Sequence, residues 1–260
     1  MYKVIVSIIL WPIWFCFLLA CLLLISIALL IIPKNKLFLI IRPISWLICF
    51  FAGQWLIKEN GPPDPDGQPY LYLFNHVSMF DQFMIGAYVP HYITAIGATE
   101  IFQYPIWGRV IKRYGGIPIH RRKLKKAIKS LMRVELKIKE GISFIIAPEG
   151  TRTISGEMGP FKKGPFHVAK NTGVTIVPIA LIGGLKAKTK ADWRLRPGII
   201  KTIFGKPIYQ SEYSALSVED LRDLVKSRIQ NLIYLLQKRG LIELLRKSIF
   251  MDATMMSLEA

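Results

Sequence analysis

From Val4 to Ile32 the chain carries no charged side chain. A helix over that stretch, at 1.5 Å per residue, is longer than the roughly 30 Å hydrocarbon core of a bilayer. Leu37 to Ile57 is a second apolar segment, interrupted by Arg42 and Pro43. A cleavable signal peptide fits poorly: the apolar core is too long, Lys3 is its only N-terminal charge, and Ser26-Ile27-Ala28 is a weak cleavage site. The expectation is a retained membrane anchor of one or two hydrophobic helices over residues 1–57. Lys34, Lys36 and Arg42 favour a cytoplasmic side for whatever follows a spanning helix. Pro12 and Pro33 equally permit a bent hairpin embedded in one leaflet, and both arrangements can leave the remainder on the cytoplasmic face.

The remainder reads as one α/β domain. Apolar strand candidates at 70–74, 92–97, 116–119, 143–147, 174–181 and 199–204 alternate with helical runs near 79–88, 122–139 and 161–171. That alternation predicts a mixed, largely parallel sheet flanked by helices. Gly61-Pro62-Pro63-Asp64-Pro65-Asp66-Gly67 marks a linker, assigned to 58–67, between the anchor and a catalytic domain at 68–216. Residues 217–260 are expected to form C-terminal helices packed on the domain. The first, Val218 to Arg239, is opened by Ser217 with Asp220 and broken at Gly240; the second, near 241–250, carries Leu241, Leu244, Leu245 and Phe250.

The net charge of +18 fits an anionic partner, lipid surface or nucleic acid, with an ordinary solvated helix face as the alternative. Arg121, Arg122, Lys123, Lys125, Lys126 and Lys129 open one helix, whose Leu124, Ile128, Leu131, Met132, Glu135 and Ile138 form a partly apolar stripe expected to face the core. Nucleic acid would suit the charge, but no zinc spacing, helix-turn-helix signature or RNA-binding aromatic motif accompanies it. An anionic lipid surface suits it better, at about 1 kcal/mol per basic residue near the membrane. Cys16, Cys21 and Cys49 all fall in the apolar segments, so no disulfide framework is implied. His91, His120 and His167 lack ligand spacing, and no metal site is expected.

Two short motifs carry the chemistry. Asn75-His76-Val77-Ser78-Met79-Phe80-Asp81 follows the strand candidate 70–74. In one continuous helix His76 and Asp81 would sit roughly 140° apart, so they can meet only if His76 lies in a strand-to-helix turn and Asp81 in the first helical turn. Ser78 with Asp81 fits a capping box. From there Asp81 can orient the imidazole and stabilise the imidazolium, making His76 a general base; alternatively Asp81 merely caps the helix. Pro148-Glu149-Gly150-Thr151-Arg152 follows the strand candidate 143–147, at the strand end where open α/β sheets bind ligands. Gly150 allows close backbone approach, and Arg152 can hold a phosphate bidentately. A Ser–His–Asp hydrolase using Ser78 is the competing enzyme class, against which no Gly-x-Ser-x-Gly elbow is present.

The order and spacing of these motifs resemble the 1-acylglycerol-3-phosphate acyltransferase family of glycerolipid acyltransferases. Gly116-Ile117-Pro118-Ile119-His120-Arg121, Phe161-Lys162-Lys163-Gly164 and Val177-Pro178-Ile179 resemble further blocks in the same order, over residues 55 to 210. The resemblance implies His76 as general base and Asp81 as its orienter. It implies Arg121 and Arg152 as holders of the acceptor phosphate, Gly150 and Thr151 as shapers of that pocket, and Glu149 as a positioner of the acceptor or the arginines. Pro178 would shape the acyl-donor site. It further implies direct transfer from acyl-CoA or acyl-carrier protein to a lysophospholipid, with no cofactor and no acyl-enzyme. The leading reaction is 1-acylglycerol-3-phosphate to phosphatidate, in phospholipid biosynthesis at the cell membrane. One departure stands out. Ala98 and Thr99 occupy the place where the family often carries a lysine, which points toward another lysolipid acceptor if that lysine binds a phosphomonoester. Outside this class, a non-catalytic membrane-surface or nucleic-acid-binding protein is the alternative.

Overall fold

The computed structural model describes residues 1–64 and 66–258, with side chains to residue 238. Helix α1 (Tyr2–Ile31) runs straight through Pro12, and a short turn returns the chain as α2 (Phe38–Phe51). The two form a hairpin, with Phe17 and Phe51 ring centroids 4.3 Å apart. Helix α1 is long and apolar enough to cross a membrane. It is nevertheless fastened to the domain along one stripe. Ser7 Oγ accepts the Leu195 N–H at 2.9 Å, Trp11 Nε1 donates to the Trp193 carbonyl at 2.8 Å, and Trp14, Leu22 and Ile25 are buried.

The segment after α2 corrects one expectation. Gln54–Glu59 is not the end of an anchor but strand β1, paired in parallel with the strand that comes last in the chain. The helix cannot continue because Gly53 adopts φ +78°. The boundary expected at residue 57 therefore falls inside a strand. The chain goes on through β2 (Tyr70–Phe74), α3 (Asp81–Gly86), β3 (Ile93–Ala98), a 3-10 turn at Thr99–Gln103, α4 (Trp107–Arg113), β4 (Ile117–Ile119), α5 (Leu124–Lys139), β5 (Ser143–Ile146), α6 (Gly164–Thr172), β6 (Thr175–Ile182), α7 (Gly184–Ala187), β7 (Gly198–Phe204), α8 (Gln210–Tyr213) and α9 (Val218–Leu258).

The strands make a seven-stranded sheet in the order β1-β7-β6-β2-β5-β3-β4, parallel throughout except for β6 against β7. Side chains alternate across it: Tyr70, Tyr72 and Phe74 join the cluster under α1–α4, whereas Leu71 and Leu73 join the cluster under α5, α6 and α9. Both faces are covered, which is why β2 and β5 are buried at every position. Strand β3 pairs with β5 only through Ala95 and with β4 from Ile96 onward. The sheet thus opens at its carboxyl end between β5 and β3.

Two helical expectations also change. Helix α9 passes through Gly240 rather than breaking there. The side chains of Leu241, Leu244, Leu245 and Phe250 lie outside the described residues. In α5 the inward line is Ser130, Val134 and Ile138, spaced one turn apart, with the Ser130 hydroxyl donating to the Pro118 carbonyl at 2.8 Å. Leu124, Ile128 and Met132, expected to face the core, are instead 75%, 47% and 56% exposed.

Candidate active site

Strand β2 ends at Phe74, and the next residue explains why the turn is rigid. The buried Asn75 amide donates to the Leu181 carbonyl at 3.0 Å and accepts the Leu181 N–H at 2.7 Å, completing the ladder to β6 with a side chain. His76 follows. Its Nδ1 lies 2.7 Å from Asp81 Oδ2. Asp81 is wholly buried and also accepts the N–H groups of Val77 at 2.8 Å and Ser78 at 3.0 Å. It therefore closes the turn on itself, as half of the expected capping box: Ser78 does not cap in return, and α3 starts at Asp81 after Phe80. Burial raises the Asp81 pKa above the ordinary value, opposed by the His76 and backbone hydrogen bonds. With Nδ1 occupied, His76 Nε2 has no protein partner among the described residues.

His76 lines a cavity of about 980 Å³ in the opening between β5 and β3. Its walls are mainly apolar, from Ile96, Ile101 and Trp107 on one side and Leu124, Ile128 and Met132 of α5 on the other. Arg121 and Gly150 share the cavity with Ala98, and so do Gln82 and Lys162, which the sequence did not single out as site residues. Lys162 was visible only as part of the Phe-Lys-Lys-Gly block. Arg121 leaves the end of β4 exposed. Gly150 has φ +73°, a backbone conformation that favours glycine, and Lys162 Cε lies 3.0 Å from where a Cβ would stand, so the lysine stem would have to shift slightly for any larger residue.

Four expected residues are placed differently. Glu149 is buried, and its carboxylate oxygens accept the His76 N–H at 2.7 Å and the Gly159 N–H at 2.9 Å. It braces the His76 turn rather than reaching into the cavity. Burial raises its pKa, and those two N–H groups oppose the rise. Arg152 is not among the residues lining the cavity with Arg121; it lies on the other flank of the turn, near enough to Lys188 to lower that ammonium's pKa. Pro178 is buried within β6 opposite Leu73, where its carbonyl accepts the Gly205 N–H at 2.8 Å as the β6–β7 pairing ends. Pro178 has no N–H for a ladder, and this is the register at which β7 needs none from it. Thr151 is exposed, with its hydroxyl 3.3 Å from Lys190 Nζ. Among the described residues no group of three or more His, Cys, Asp or Glu could hold a metal.

Residues 56–182 match the family model described as Acyltransferase. The chain is 35% identical over 160 residues to the chloroplastic 1-acyl-sn-glycerol-3-phosphate acyltransferase BAT2 of Brassica napus, covering 61% of this chain and 46% of that protein. It is 28% identical over 180 residues to the 1-acyl-sn-glycerol-3-phosphate acyltransferase of Pseudomonas aeruginosa, covering 68% of each. The chain spans about half the length of the plant relatives it matches. Its fold is that of the crystal structure of the 1-acyl-sn-glycerophosphate acyltransferase PlsC from Thermotoga maritima, with a TM-score of 0.79 at 20% identity, covering 90% of this chain and 98% of that one. The two motifs, joined in one turn-and-cavity arrangement, both fall within the stretch that matches the Acyltransferase family model, and the chain is similar to 1-acyl-sn-glycerol-3-phosphate acyltransferases.

Proposed function

We propose that this protein transfers a fatty acyl group from acyl-CoA or acyl-carrier protein to the free hydroxyl of 1-acylglycerol-3-phosphate, giving phosphatidate. The observation that carries the reading is the His76–Asp81 pair at 2.7 Å, with the imidazole lining an apolar cavity. Asp81 fixes the Nδ1–H tautomer, so Nε2 is the basic atom. It takes the hydroxyl proton as the hydroxyl oxygen attacks the thioester carbonyl. The new C–O bond forms, the C–S bond breaks, and the imidazolium returns the proton to the departing thiolate. The buried carboxylate stabilises the imidazolium between these steps. The family supplies the substrate class, and the names of the relatives supply the specific acceptor.

The α1–α2 hairpin is the proposed anchor. One stripe of α1 is fastened to the domain from Ser7 to Ile25, while its other residues, such as Ile9, Phe15 and Leu24, are exposed and apolar. That geometry favours a hairpin seated in one leaflet beside the catalytic domain over a helix that leaves it. The domain then faces the cytoplasm, with the basic residues that open α5 available to anionic lipid.

The test is thiol release that depends on added lysolipid, measured with purified protein and acyl-CoA or acyl-carrier protein, with mass spectrometry of the product. His76→Ala should lower turnover by about 10²–10⁴-fold without loss of fold. Near-normal turnover in folded His76→Ala protein would remove the general base. Thiol release indifferent to any lysolipid would remove the acyltransferase reading.

A further inference from the structure

Apart from the reaction cavity, helices α1 and α4 enclose a second groove of about 720 Å³. Leu23, Ser26 and Leu29 of α1 form one wall, and Arg109, Lys112 and Arg113 of α4 stand on the other. The Ser26 hydroxyl donates back to the Leu22 carbonyl at 2.7 Å, so the α1 wall is apolar in effect. Ile27 and Leu30, one turn on from Leu23 and Ser26, extend it at 57% and 71% exposure. Helix α4 separates the two spaces: its Trp107 and Ile111 line the reaction cavity, whereas Arg109 and Arg113 line the groove.

The cationic wall is uncompensated. Arg109, Lys112 and Arg113 are all exposed, and none of their side chains makes a hydrogen bond or ion pair among the described residues. Neither wall carries a carboxylate, and the chain has no acidic residue before Glu59. Spaced i, i+3 and i+4, the three charges share one helix face and repel one another. Lys112 and Arg113 end α4, where the helix dipole favours a cation; Arg109 sits in the first turn, where it opposes one. Solvation alone accounts for exposed cations, but not for their facing the apolar side of a helix long enough to cross a membrane. That juxtaposition suits an anion joined to hydrocarbon. Phosphate is the anion that guanidinium groups hold bidentately.

We propose that the groove between α1 and α4 binds one anionic phospholipid of the surrounding membrane, its phosphate on Arg109, Lys112 and Arg113 and an acyl chain along Leu23, Ser26 and Leu29. The lipid is a resident ligand and not a substrate, because α4 stands between the groove and the cavity that His76 lines. A zwitterionic lipid fits less well, since its headgroup would bring a further cation to three that have no counter-ion. The site rests on the α1–α2 hairpin being seated in a leaflet, as proposed above. It adds a headgroup preference that an apolar hairpin by itself lacks.

The experiment places the full chain in nanodiscs of equal phosphatidylglycerol and phosphatidylcholine, and native mass spectrometry reads the lipid that stays bound on ejection. Wild type should retain one phosphatidylglycerol. Each basic residue near a lipid surface is worth about fivefold in binding, so Arg109→Gln/Arg113→Gln should lower the ratio of retained phosphatidylglycerol to phosphatidylcholine roughly 10- to 30-fold. Lys206→Gln/Arg228→Gln removes the same charge from two exposed residues off the groove and should leave the ratio within about twofold. Ser26→Phe fills the apolar wall without changing charge, and it should also lose the lipid. An unchanged ratio in the arginine variant overturns the site, and so does an equal loss in the charge-matched variant. Full retention by Ser26→Phe would reduce the effect to surface attraction and overturn the groove. Glycerol 3-phosphate should not displace the lipid; displacement would show a site for soluble anions instead. Failure of wild type to enter nanodiscs sinks the anchor and the site together, whereas entry without headgroup preference sinks the site alone.

Discussion

Replacing Glu149 distinguishes a brace from a substrate ligand. In the structure its two carboxylate oxygens are taken by the His76 and Gly159 N–H groups, at 2.7 and 2.9 Å. Glu149→Ala leaves both amides unpaired in a buried position. At about 1–3 kcal/mol for each unsatisfied buried group, the loss is about 2–6 kcal/mol, against a total stability on the order of 5–15. That variant should therefore fold poorly. Glu149→Gln is the informative one: its amide oxygen can keep one N–H, but its NH₂ then faces the other as donor against donor. The expected loss is about 2–3 kcal/mol, or roughly 4–12 °C in melting temperature for a chain of this size. Tryptophan fluorescence in detergent can follow the melt. At a temperature where Glu149→Gln is folded, kcat should fall at least about tenfold through misplacement of His76, while the KM for the lysolipid changes little. A large rise in the lysolipid KM with unchanged kcat and melting temperature would refute the brace and return Glu149 to acceptor binding.

Two further outcomes test other parts of the structure. His91 stacks on Tyr72 with centroids 5.8 Å apart, its Nδ1 is buried without a partner, and burial lowers its pKa to about 4. The folded state therefore binds its proton less readily than the unfolded state, and stability should fall as pH drops from about 6.5 toward 4. The full shift would be worth roughly 3 kcal/mol, and partial solvent screening of the ring reduces it to about 1–2. Urea unfolding at pH 7 and pH 5 should show a slope that His91→Gln flattens, and identical slopes would refute the assignment. For the anchor, Cys16 is the exposed cysteine of α1 whereas Cys21 and Cys49 are buried. A membrane-impermeant maleimide should leave Cys16 unlabelled in intact vesicles and a permeant one should label it; rapid labelling by the impermeant reagent would place that face of α1 in water.

The sheet was largely legible because its strands are buried on both faces and read as short apolar runs bounded by turn residues. Strand β1 was missed for the same reason: Gln54-Trp55-Leu56-Ile57 continues the apolar composition of α2, and only the positive φ of Gly53 separates helix from strand. Composition sees no boundary where a single dihedral makes one. The stripe of α5 was misread because Ser130 looks polar in sequence yet is satisfied by the Pro118 carbonyl, which rotates Leu124, Ile128 and Met132 outward onto the cavity. Within the site, the His76–Asp81 pair followed from spacing and turn geometry, since a strand-to-helix turn is the arrangement that lets them meet. The duty of Glu149 could not be read that way, because its partners are backbone amides, which every residue carries.

Distance along the chain is a property of the site as a whole. The turn bearing His76 is held by Asn75 to Leu181 across 106 positions, by Glu149 to the His76 N–H across 73, and by the Thr153 N–H to the His76 carbonyl at 2.9 Å. Each of these bonds holds the turn rather than the imidazole; the ring itself is fixed by its hydrogen bond to Asp81, with Phe74 edge-on to it at 5.8 Å between centroids. The labour is divided: long-range backbone bonds set where His76 stands, and one local carboxylate sets its tautomer. General-base assistance contributes about 10²–10⁴-fold, and correct placement of two substrates contributes several kcal/mol more. A site built this way cannot assemble before β2, β5 and β6 have come together, because its bracing bonds span all three.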